Sequence, residues 1–207
     1  MNIKNNIIHF LATLAVASIF AWGCEDDAYY IDYEKLEDEG AALFDRFMAL
    51  DSVARDTLYA KIRGDYPMLD TIDDRNEGGP LMYITHRSGE TDSIMSGHYV
   101  GVRFIYWGIF ENEDGNIDVD TMYLDRYYDE PTTFMIDNYS STYYVSNGIN
   151  RGVKFMKPFE RAIMVLPSTL LYSYGTAQSI FASTSFGLAD QYRPIIADVE
   201  VTYWTDR

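Results

Sequence analysis

The longest regular alternation in the chain closes it. Ile195, Ala197, Val199, Val201 and Tyr203 are apolar, and Asp198, Glu200 and Thr202 between them are polar. A period of two belongs to a strand whose successive side chains point to opposite faces. Residues 194–204 are therefore predicted as a strand with one face buried and the other wet, in an antiparallel sheet covered on one side. The same period puts Val100, Val102, Phe104 and Tyr106 on one face of a strand over 99–110. Shorter strands are predicted at Leu81–His86, 117–123, 132–137 and 159–166, the second of them after the turn sequence EDGN at 113–116.

Upstream the period changes. Leu36, Leu43, Phe47, Leu50, Ala54, Leu58 and Ile62 recur mostly three or four apart, as one face of a helix requires. Asp51 and Ser52 supply a cap and Gly64 a stop, so two helices are read there, with one long helix the alternative. This stripe is expected to pack on the sheet or on a partner. The stretch 64–80, rich in Asp, Gly, Asn and Pro, reads as a linker. Asn147-Gly148 breaks the chain before a short segment over 149–156, whose Val153 and Met156 face the sheet and make it the natural cover.

The chain opens with Lys4, an apolar run over 7–20 and then Ala-Trp-Gly-Cys at 21–24, which together read as a secretion signal too short to span a bilayer. Cys24 is the single cysteine, so neither an intramolecular disulfide nor a cysteine metal cluster can form. A lone cysteine after Ala-Trp-Gly is similar to the lipobox of bacterial lipoproteins; a cysteine merely trailing the signal is the alternative. The resemblance implies a lipidated Cys24 and a membrane anchor, since two acyl chains suffice for stable attachment. Glu25, Asp26 and Asp27 resemble the acidic tripeptide of surface-exported lipoproteins of the Bacteroidetes. An outer-membrane location follows, with the periplasmic leaflet and the cell surface both open. The chain then divides into a signal (1–23), an acidic tether (24–34), a helical segment with linker (35–79) and a sheet domain (80–207).

A formal net charge of −16 excludes binding nucleic acid by neutralising phosphates. His86 and His98 have no second ligand at metal spacing, so no metal or cofactor is expected. The run ENEDGNIDVD at 111–120 has part of a calcium loop's spacing, but Phe110 and Thr121 stand where carboxylates are needed, and it is read as a hairpin turn. No nucleophile elbow, phosphate loop or dinucleotide fingerprint is present.

From residue 80 onward the order of pieces resembles the FKBP-type peptidyl-prolyl isomerases. The residues that carry this are VRFIYWG at 102–108, Asp114-Gly115 followed by Val119-Asp120-Thr121, and PTTFMI at 131–136. They continue with VSNGINRGVKFM at 145–156, in which Gly148, Gly152 and Met156 keep the family spacing, then Leu166-Pro167-Ser168 through Tyr172, and Asp198-Val199-Glu200. The resemblance implies an α+β fold, a curved antiparallel β-sheet wrapped on a short helix, here preceded by the N-terminal helical segment.

It also implies a chemistry: rotation about an X-Pro bond, against an amide barrier of about 18–20 kcal/mol, in an apolar cup that strips water from the amide. In that cup Tyr106 is a wall, Asp120 a polar partner, Val145 a rim residue, Ile149 the floor where the family has Trp or Leu, and Tyr172 the hydroxyl that binds a substrate carbonyl. The chain departs from the pattern at Ser146, Val119, Thr132 and Ala197, and GLADQYRP at 187–194 replaces the loop that presents Ile-Pro-Pro. Tyr174-Gly175 offers a competing alignment for Tyr172. Two readings follow: an envelope lipoprotein that isomerises or holds extended polypeptide, or a non-catalytic structural or binding subunit of an envelope complex that uses the altered cup as an interaction face.

Overall fold

The computed structural model describes residues 32–124, 131–138, 146–171 and 192–205. The signal, Cys24 and residues 25–31 of the acidic tether lie outside them, as do Val145, Tyr172 and the stretch 172–191, while Tyr33 and Glu34, read as the end of the tether, already belong to the first helix. Helices α1 (Tyr33–Met48) and α2 (Ser52–Arg63) precede strands β1 (Asp70–Asp73), β2 (Leu81–His86), β3 (Tyr99–Glu111), β4 (Ile117–Leu124) and β5 (Thr132–Met135). Helix α3 (Asn147–Val153), β6 (Arg161–Leu166), α4 (Ser168–Leu171) and β7 (Ile195–Thr205) follow. The strands make one curved sheet in the order β1-β2-β6-β7-β3-β4, with β5 also paired to β3 and every pairing antiparallel. The chain is thus α+β, with the short helix α3 against one face of the sheet, as the resemblance implies.

The two-helix reading holds: the first helix stops at Met48, and Asp51 caps the second. Its carboxylate accepts the Ala54 N–H at 2.8 Å, while the Gly64 N–H closes α2 on the Ala60 carbonyl at 3.0 Å. Gly64 has φ +60°, a conformation that costs glycine little and other residues more.

One expectation needs correction: the outer face of the sheet is not wet along its length. The inner face, under α3, buries Val100, Val102, Phe104, Tyr106, Met164, Ala197 and Val199 with Ile149 and Val153. The outer face buries Ile109, Ile163, Val165 and Ile196 against Phe47 of α1 and Leu58, Tyr59 and Ile62 of α2. The helical stripe therefore covers the sheet's second face. Strand β6, reading AIMVL after Arg161, is buried at every one of those positions, as a strand covered on both sides must be. Only from Asp198 onward does the outer face of β7 turn polar.

The linker expectation needs correction too. Strand β1 lies within 64–80 and pairs with β2 from Asp70↔Ile84 to Asp73↔Leu81. Four residues at a sheet edge, three of them exposed, bury too little to imprint an apolar pattern. The turn at 112–116 is a hairpin: the Asn112 side chain accepts the N–H groups of Asp114 and Asn116 at 3.1 and 2.9 Å, and Gly115 takes φ +79°.

Candidate functional site

Helix α3 is the base on which the candidate cup is built, and its sequence explains its seat. The buried Ser146 accepts the Ile149 N–H at 3.2 Å and caps the first turn. The departure from the family's rim isoleucine at this position thus has a local cause: the side chain is spent on the cap. Asn150, also buried, clamps the end of β5. It donates to the Met135 carbonyl at 3.3 Å and accepts the Asp137 N–H at 3.0 Å, and Asp137 takes φ 58° there. Ion pairs Arg151–Asp74 and Lys154–Asp137 tie the same helix to the β1–β2 connection and to the turn after β5.

Above the helix, the register fixes which candidate residues share a face. Tyr106 pairs with Ala197, and two residues on, Gly108 pairs with Ile195 of β7 and Asp120 of β4. Tyr106 and Asp120 are therefore diagonal neighbours on the inner face, beside the register shift that separates the Tyr106 and Trp107 pairings with β4. Gly108, between them, carries no side chain and is itself buried. Tyr106 is 1% exposed and Ile149 0%, whereas Asp120 is exposed. The Asp120 carboxylate accepts the Thr121 N–H at 2.7 Å.

Several further positions bear on the cup. Phe104 stacks on Tyr106, with ring centroids 4.7 Å apart and planes 20° from parallel. The alternation 100–106 already placed Phe104 on that face, so its contribution was recoverable from the sequence. Ala197, where the family has Phe, sits directly across from Tyr106, fully buried. Val119 points the other way: it pairs with Ile109 and joins the outer layer under α1 and α2. The aromatic wall that the family pattern sets at this position is thus replaced here by a residue of the helix-covered core. Val145 and Tyr172 lie outside the described residues.

The helical pair also grips the β3–β4 hairpin by charge. Arg46 pairs with Glu111 and donates to the Gly115 carbonyl at 3.1 Å, and Lys61 pairs with Asp118. The hydrogen bonds from Lys61 and then from the Val119 N–H hold the Asp118 carboxyl below its usual range, and Arg46 does the same for Glu111. A carboxyl lowered by folding adds stability that is present above its unfolded pKa and lost as pH falls through the folded value. Both pairs are exposed, so the contribution is small. Of the two histidines among the described residues, His86 is exposed at the end of β2, and His98 stacks on Trp204 with centroids 4.7 Å apart.

No family model matches the chain, and no curated protein matches it. Among solved structures it is similar to the three FKBP domains of wheat FKBP73, with 20% identity, 66% of this chain covered and a TM-score of 0.43. The match spans 49% of the wheat chain. It is similar as well to FkpA from Escherichia coli, with 15% identity, 98% of this chain and 71% of that one covered, and a TM-score of 0.48.

Proposed function

We propose that this is an envelope lipoprotein of the Bacteroidetes type, anchored in the outer membrane through Cys24, whose FKBP-like domain binds extended polypeptide and isomerises X-Pro bonds at a low rate. The observation that carries the reading is the placing of Tyr106 and Asp120 as diagonal neighbours on the face that Ile149 underlies. Such a site needs no acid, base or nucleophile. Apolar walls strip water from the amide, which favours the twisted and less resonance-stabilised transition state, and a polar group beside them orients the chain.

A second reading has its own support. Tyr106, Ile149 and Met156 are at most 1% exposed, and Val119 has turned to the outer face, so the described floor offers little apolar surface to a proline ring. On this reading the domain is a non-catalytic binding subunit of an envelope complex.

A protease-coupled isomerisation assay separates the two. With residues 25–207, a proline tetrapeptide should turn over faster than the uncatalysed background, and Asp120→Ala should lower kcat/KM by about tenfold, the scale of one hydrogen bond. A wild-type rate equal to background leaves only the binding subunit. Anchoring is tested apart from this: Cys24→Ser should move the protein from the membrane pellet to the soluble fraction, and continued sedimentation would sink the lipoprotein assignment.

A further inference from the structure

We infer that Gly40 is a positioning residue of the candidate cup, acting at the contact of helix α1 with Tyr192 and Ser168. The inference rests on the polypeptide-binding reading above. Gly40 is buried midway along α1, where alanine would stabilise the helix by about 1 kcal/mol. Its φ is not positive, so no turn demands glycine. Close approach does. A Cβ at this position would lie under 3.0 Å from the Tyr192 carbonyl oxygen and 3.4 Å from the Ser168 hydroxyl. The first of these atoms is backbone and cannot swing aside as a side-chain tip would.

The two residues touched are not arbitrary. Ser168 opens α4 directly after β6, four positions before Tyr172 in the sequence. Tyr192 precedes Pro194, whose carbonyl accepts the Ile109 N–H at 3.0 Å just before β7 begins. Helix α1 thus sets the spacing of the chain where it leaves β6 and where it enters β7, the strand that carries Ala197 opposite Tyr106. The hairpin on the other flank is held by the same helical pair, since Lys61 pairs with Asp118, two residues from Asp120. The N-terminal helices are accordingly part of the apparatus that shapes the cup, and the cup's affinity should respond to a change one helix away.

The test uses the mature chain carrying Cys24→Ser, with Gly40→Ala, and reads hydrogen exchange together with kinetics on a succinyl-Ala-Leu-Pro-Phe-nitroanilide peptide. Displacing the Tyr192 backbone should raise exchange over 168–171 and 192–196 about tenfold while β2 keeps its protection, and should raise KM about tenfold with kcat within about twofold. Ala41→Gly, on the exposed side of the same helix, should weaken the helix and leave KM alone. If Gly40→Ala does not fold, Ser168→Ala, which removes one of the two atoms touched, should raise KM about threefold. An unchanged KM in the folded variant overturns the inference, and so does unchanged exchange. A wild-type chain that neither binds nor turns over the peptide defeats the polypeptide-binding reading instead, and the exchange result still decides whether Gly40 holds Tyr192 and Ser168 in place.

Discussion

Gly148→Ala is expected to lower the free energy of unfolding by about 1–3 kcal/mol, although alanine is the better helix former by about 1 kcal/mol. The new methyl group would meet the Leu166 Cδ2 atom inside 3.0 Å, the Leu170 Cβ at 3.1 Å and the Leu170 carbonyl at 3.4 Å. Leu166 is fully buried in the inner layer, so its side chain has nowhere to go without displacing others. Gly152→Ala is the internal comparison, one turn further along the same face. Its Cβ would meet the Met164 thioether at 2.6 Å and the Pro80 ring at 3.2 Å, and a thioether yields where a packed branched side chain does not. The loss at Gly152 should be smaller, within about 1 kcal/mol of wild type once helix propensity is counted. Urea midpoints of the two variants give the order, and Gly152→Ala being the more damaging would contradict the close seat of α3 on β6.

That seat explains why the C-terminal half of the chain was legible as sequence. Gly148 and Gly152 are spaced one helical turn apart, and a helix that must lie this close to a strand admits almost nothing else there. The alternation of β7 and of 100–106 was equally direct, because both strands have one face buried in the layer that contains α3. The outer face was harder. Ile196, Ile163 and Val165 meet a cover supplied by residues more than 100 positions earlier, and no local pattern tells a polar outer face from one that a distant helix will bury. The apolar run of β6 was the available signal. Strand β1 left none, since Ile72 alone among its four residues reaches the core.

The candidate site divides along the same line. Tyr106 and Asp120 were named from the order of motifs, and the antiparallel register then decides that they share a face. Whether Val119 belongs to the cup could not be read from its place beside Asp120. Adjacent residues of a strand point to opposite sides, and which of the two faces inward depends on the register with β3. The role of Gly40 was invisible for a different reason: a single glycine in a helix lowers propensity without saying what presses against it.

Asp198→Ala is expected to cost about 3–5 kcal/mol, the range for removing one partner of a buried ion pair. Asp198 is 5% exposed and receives two hydrogen bonds from Arg161, from Nε at 2.7 Å and from Nη2. The arginine side chain is itself only 22% exposed and lies over the Tyr66 ring, 4.6 Å from its centroid, so it cannot easily turn out to water when its partner is lost. The residue thus holds β6 to β7 on the outer face, so the first position of the Asp-Val-Glu motif serves the sheet rather than the cup. A double replacement sharpens the test. Arg161→Met with Asp198→Leu removes both charges and both desolvation penalties, and should recover most of the lost stability, since apolar substitutes for a buried pair are often neutral or better. Thermal midpoints of the single and double variants measure this directly. A single variant within about 1 kcal/mol of wild type would mean that water already screens the pair, and that packing alone keeps the two strands together.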